Sequence, residues 1–160
     1  MRIAFFALAV SALVVLAMPS YADEARDYID NEVAEWTQIA NADGYNILDT
    51  IVDTIGADPL TYTFELGPGK YHLYASGGMN ITDIDTTATG PEDKELDSDS
   101  SPDKIPILVF KITEPTAVTV TLAQFSETEE YVDDYFCLLI TAEGEGEIIS
   151  ATTSSAAITQ

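Results

Sequence analysis

A chain of 160 residues with 28 acids against six Lys and Arg, and hence a net charge of −22, repels nucleic acid and anionic lipid and favours cations or plain solubility in salt. Polyanion binding is excluded as a function. The single cysteine, Cys137, rules out an internal disulfide, and its place in the apolar run 136–140 predicts a buried thiol.

Arg2 precedes an apolar run over 3–18, and Pro19-Ser20-Tyr21-Ala22 sets small residues at the minus-three and minus-one positions of a cut after Ala22. The pattern predicts a secretory signal peptide over 1–22, with a periplasmic or secreted destination and no membrane span after cleavage. Loss of Arg2 moves the net charge from −22 to −23. The remaining chain is long enough for one domain with a real core and too short for two.

Ile29, Val33, Trp36 and Ala40 recur at three- and four-residue spacing, with acids on the other faces, and predict an amphipathic helix over 23–44 packed on the rest of the domain. Asp23, Glu24 and Asp27 suit the positive end of the helix dipole, and Gly44 offers a stop. Trp36 reads as a core anchor. A strand follows over 45–55, rich in Ile, Val and Thr and bounded by Gly44 and Gly56.

Leu60, Tyr62, Phe64 and Leu66 alternate with polar residues; Gly67-Pro68-Gly69 then makes a turn, and Tyr71, Leu73 and Ala75 resume the alternation. This predicts a hairpin over 60–75, with His72 on its polar, solvent-facing side and no companion ligand for a transition metal. Between Asp83 and Asp103 stand eight acids and one lysine, Lys94, in a stretch rich in Thr, Ser, Gly and Pro that reads as a loop up to Pro106. Strands over 107–112 and 117–125 suggest a second hairpin, 127–134 an acidic connection, 135–141 a buried strand, and 147–149 a short segment. The expected fold is an all-β antiparallel sandwich over 45–150, preceded by the helix and followed by a flexible tail over 151–160.

The order of parts, with YTFELGPGKYHLYA, a D-x-D strand, an acidic Ser/Asp loop leading to Pro, TAVTVTLAQF and YFCLLI, resembles the bacterial pre-peptidase C-terminal domain and its stand-alone periplasmic relatives over 45–140. The resemblance implies a jelly-roll-like sandwich without catalytic activity, calcium binding in some members, and binding to matrix or carbohydrate surfaces in others. Its D-x-D motif falls on Asp83 and Asp85, and its acidic loop on Asp97, Asp99 and Asp103 ahead of Pro106. Here the D-x-D is followed by Thr86, Thr87, Ala88 and Thr89, where the family carries an apolar strand and a Tyr-Asp turn.

Calcium takes six to eight oxygen ligands in flexible geometry, so Asp83, Asp85, Asp97, Asp99 and Asp103 are the candidate ligands; the alternative is a solvated acidic loop. The spacing is not that of an EF-hand. No nucleophile elbow, HExxH or phosphate loop is present, and His72 is the sole histidine, so an enzyme is not expected. Two functions stay open: an exported module that binds a protein or glycan, with Tyr74, Tyr131 and Tyr135 as contact area, and an assembly component that works through sheet edges. The heavy like-sign charge opposes self-association and favours a monomeric module.

Overall fold

The computed structural model describes residues 21–125 and 131–154. Among these residues, helix α1 (Tyr21–Ala42) is followed by nine strands: β1 (Asn46–Ile55), β2 (Leu60–Leu66), β3 (Gly69–Gly77), β4 (Ile84–Thr89), β5 (Glu95–Asp99), β6 (Ile107–Ile112), β7 (Thr116–Gln124), β8 (Asp134–Glu143) and β9 (Ile148–Ser154). They form two antiparallel sheets packed as a sandwich, one ordered β1-β8-β3-β6 and the other β5-β4-β7-β2-β9. The signal peptide, apart from Tyr21 and Ala22, lies outside the described residues, as do 126–130 of the acidic connection and 155–160 of the tail. No helix among the described residues is long and apolar enough to cross a membrane.

Alternation selects the buried faces. Tyr62, Phe64 and Leu66 of β2 and Val118, Val120 and Leu122 of β7 meet Tyr71 and Leu73 of β3, Leu108 of β6, and Phe136, Leu138 and Ile140 of β8 in one core between the sheets. Each fully buried Leu, Ile or Phe contributes about 1.5–3 kcal/mol relative to exposure. The two expected hairpins are corrected. β2 and β3 lie in opposite sheets, and so do β6 and β7, so both connections arch across the core. Period-two patterning says which side of a strand is buried, and an arch satisfies it as well as a hairpin does. Tyr71 supports the corner between β2 and β3: its buried hydroxyl donates to Gly67 O at 2.7 Å and Glu147 O at 3.1 Å and accepts from Glu147 N at 3.1 Å. Gly69 allows this close approach, because a Cβ there would come within 2.8 Å of the Gly146 Cα.

The acidic stretch is also more ordered than a loop. β4 and β5 form the sandwich's hairpin between consecutive strands, joined by a 3₁₀ turn (Pro91–Asp93). Ile84, Thr86 and Ala88 face the core, and Leu96 alone anchors β5. With a single apolar residue, an edge strand held by its ladder leaves little periodic signal. The expected tail is likewise shortened, because β9 pairs with β2 as far as Thr61 opposite Ser154.

Helix α1 adds a third layer on the outer face of the four-stranded sheet. Ala25, Ile29 and Ala40 are buried, and Trp36 stacks on Tyr74 with ring centroids 5.0 Å apart. Such a pair contributes about 0.5–1.5 kcal/mol beyond its area. Beneath the helix lie Ser76, whose Oγ donates to Glu32 Oε2 at 2.9 Å, and Cys137, opposite Ser76 on β8. His72 is not at the surface as expected. It is 7% exposed, stacked on Tyr45 and within 2.9 Å of Glu143 Oε1, because the polar face of β3 turns toward this covered side.

Candidate functional site

The five aspartates separate into two groups. Asp97 and Asp99 project from β5, the edge of one sheet, onto β6, the edge of the other. Asp97 Oδ2 accepts the Val109 N–H at 2.6 Å, and Asp99 Oδ2 accepts the Ile107 N–H at 3.0 Å. Their other oxygens accept from Ser98 N and Ser101 N, each at 3.0 Å. The N–H bond from Ile107, followed by those from Ser101, holds the Asp99 carboxyl below the ordinary carboxylate range. These two side chains occupy the hydrogen-bonding row that a further strand would need. On β1, the opposite edge of the same sheet, Asp49 and Asp53 accept the N–H groups of Thr50 and Thr54, each at 2.8 Å. Two of the candidate ion ligands, Asp97 and Asp99, thus close a sheet edge. The period-two spacing of Asp97 and Asp99 is the sequence signal that goes with it.

Asp83, Asp85 and Asp103 gather at the end of the sandwich where β4 begins. Backbone bonds join the segments there: Ile84 N donates to Asp103 O at 3.0 Å, and Phe125 N to Asp83 O at 3.2 Å. Burial first, then the charges of Asp85 and Asp103, push the Asp83 carboxyl above its ordinary value. Asp83 Oδ1 is buried without a hydrogen-bond partner. Asp83 lines a cleft of about 200 Å³ with Thr82, Pro102 and Phe125. One Asp103 oxygen is engaged by the Ile105 N–H at 2.8 Å. Among the described residues no three acidic, histidine or cysteine side chains converge on a point that could hold a metal, so the five aspartates do not form one cage.

The aromatic contact area expected from Tyr74, Tyr131 and Tyr135 also divides. Tyr74 is buried under Trp36, which corrects its expected exposure, and the guanidinium of Arg26 stands 5.8 Å from the centre of the half-buried Tyr135 ring. Tyr131 is exposed. Phe125, expected at the end of a strand, is 49% exposed at the cleft. The Gln124 side chain fixes its surroundings by exchanging hydrogen bonds with Val132 N and O at 3.0 and 2.9 Å, which brings exposed Val132 and Tyr131 beside the same end.

The remaining titratable cluster has a structural explanation. Lys70 Nζ, at 2.6 Å, and then His72 hold the Glu143 carboxyl below its ordinary range, and the imidazole is stacked against Tyr45. Among the described residues no cation lowers Cys137; burial, then the Glu32 charge, pushes its thiol up to about 12. Asp134 is buried and spent on Asn80 N and Nδ2 and on Tyr135 N. No protein-family model matches the chain, and no curated protein matches it.

Proposed function

We propose that the chain is a non-catalytic exported binding module, jelly-roll-like in the manner of the pre-peptidase C-terminal domains it resembles, and that it captures a partner protein through a basic, apolar segment. The observation that carries this reading is the cleft at Asp83. A buried carboxylate oxygen without a partner, reinforced by two neighbouring acids, lies beside the exposed ring of Phe125. A lysine or arginine with an apolar neighbour matches both features, since the cation relieves the acid repulsion and the ring supplies apolar and cation–π contact. The leader pattern over 1–22 supports export.

The calcium reading narrows accordingly. With Asp97 and Asp99 committed to β6, it is left with Asp83, Asp85 and Asp103, which among the described residues do not converge on one metal position, so an ion there needs further ligands. The assembly reading meets the aspartate caps on both edges of the four-stranded sheet, which oppose strand addition there.

The deciding experiment probes the mature protein, from Asp23 on, against arrayed basic-apolar peptides, acidic peptides and neutral glycans, and follows thermal unfolding in chelator, calcium and magnesium. Saturable, salt-sensitive binding of basic-apolar peptides, lost in Asp83→Asn and in Phe125→Ser without a fall in the unfolding midpoint, is expected. Binding that survives both substitutions, or that goes to glycans instead, sinks the peptide reading. A rise of the midpoint specific to calcium and lost in Asp83→Asn would assign the acids to an ion.

A further inference from the structure

Past the leader the chain has five cationic side chains, Arg26, Lys70, Lys94, Lys104 and Lys111, against 28 acids. Three of them are spent internally. Arg26 pairs with Asp30 and Lys70 with Glu143, while Lys104 Nζ donates to Tyr28 OH and Gly78 O and lies 4.6 Å from the Tyr28 ring centre. Among the described residues, neither Lys94 nor Lys111 makes a salt bridge or side-chain hydrogen bond. Those two line one cleft of about 220 Å³, although they come from separate elements. Lys94 follows the 3₁₀ turn and Lys111 lies on β6.

Two features show that this placement is held at a cost. Glu92 and Asp93, immediately before Lys94, are consecutive non-glycine residues in the left-handed region, with φ of 60° and 55°. They are the central pair of the tight turn that closes the β4–β5 hairpin, which needs φ above zero at both positions and is less favourable without glycine. On the other wall, Lys111 stands directly opposite Lys70 in the β3–β6 ladder, a like-charge cross-strand pair that is unfavourable in itself. Lys70 is relieved by Glu143; Lys111 has no equivalent acid among the described residues.

The rest of the lining narrows the ligand. Pro91, Leu96 and Ile112 give the cleft an apolar side, while Thr113, Thr116 and Glu114 offer hydroxyl and carboxylate groups. Glu114, together with the charge of the whole chain, opposes a dianion or a polyanion; two lysines suffice for one carboxylate. At ~30 Å³ per water the space is that of about seven waters, the scale of one small molecule. We infer that the cleft between Lys94 and Lys111 is a binding site for a small monocarboxylate bearing hydroxyl groups, chemistry shared by a uronic acid sugar and a free hydroxy-acid. Its carboxylate lies between the two ammonium groups, its hydroxyls meet Glu114 and the threonines, and its carbon face rests on Leu96. The site is independent of the peptide proposal: Thr116 opens β7, whereas Phe125 follows its far end.

The test is a titration of the mature protein, followed by amide chemical shifts, with glucuronate, gluconate, glucose and inorganic phosphate. Lys94→Gln, Lys111→Gln and, as a control at the far end, Asp83→Asn are compared. Saturable shifts of residues around Lys94 and Lys111 with glucuronate, gluconate or both are expected, weakened about tenfold in either lysine variant and unchanged in Asp83→Asn. A preference for glucuronate identifies the sugar as the source, and one for gluconate the free acid. Both lysines are exposed, so the variants are expected to keep their unfolding midpoints. Glucose binding as well as the acids, phosphate binding more tightly, no saturable binding of either acid, or unchanged affinity in both lysine variants would each overturn the assignment.

Discussion

Asp97 accepts the backbone N–H of Val109 at 2.6 Å, so a side chain from one sheet stands where a neighbouring strand would stand beside the other. Asp99 repeats the contact two residues on, at Ile107, and the outward side chains of Ile107 and Val109 are 40% and 41% exposed. An unpaired edge with apolar flanks is a template for association.

Replacing both aspartates by alanine frees that edge and removes two charges. Each single change is expected to lower stability by about 0.5–1.5 kcal/mol, the net value of a hydrogen bond of this kind. The double variant is expected to associate with rising concentration in sedimentation velocity, while the parent stays monomeric. A monomeric double variant would show that the caps do not guard the edge.

Asp83 and Asp99 give stability opposite dependences on pH. The carboxyl of Asp99 is held low in the folded state, so its contribution is present above the unfolded value and is lost as pH falls through the folded one. The carboxyl of Asp83 is raised by burial and by two acids, so its ionisation costs the folded state stability at neutral pH, and the cost is relieved as pH falls through the raised value. Asp83→Asn is therefore expected to raise the unfolding midpoint at pH 7, with the gain fading toward about pH 4. Asp99→Asn is expected to lower the midpoint at pH 7, with the deficit fading below about pH 4. Melts of the two variants across pH 3–7 decide the matter; parallel profiles would refute the assignment.

Cys137 reports on the helix. Its thiol, pushed up to about 12 and covered on the sheet face under α1, is expected to ignore a thiol reagent at pH 8 in the native protein and to react fully in denaturant. Trp36→Ala removes the stack on Tyr74 and is expected to cost about 1–3 kcal/mol, less than the loss of a fully buried indole. Native labelling in that variant is expected to quicken in step with the loss of stability. Rapid labelling of the parent protein would contradict the burial.

The sequence made some of this legible. Three- and four-residue spacing located α1, strict alternation located β2, β7 and the inward face of β3, and a continuous apolar run located β8. It could not choose between a hairpin and an arch, because Phe64 and Leu73 are buried in either. Nor could it place His72, because the outer face of β3 is polar in composition and covered only once α1 and Tyr45 fold over it. The aspartates were legible as a cluster but not in their division, which depends on which strand edge each one reaches. Lys94 and Lys111 were invisible as a pair, being 17 positions apart and joined only where β5 approaches β6.

The arches have a kinetic consequence. Apart from the β4–β5 hairpin, every strand pairs with one distant in the chain, and β2 is sealed on its open side only when Ile148–Ser154 arrives as β9. Such long-range pairing folds slowly, because loop closure must precede the contacts that reward it. A polypeptide still emerging from its site of synthesis therefore completes the four-stranded sheet only when β8 appears and the five-stranded sheet only when β9 follows, so the core between the sheets closes late.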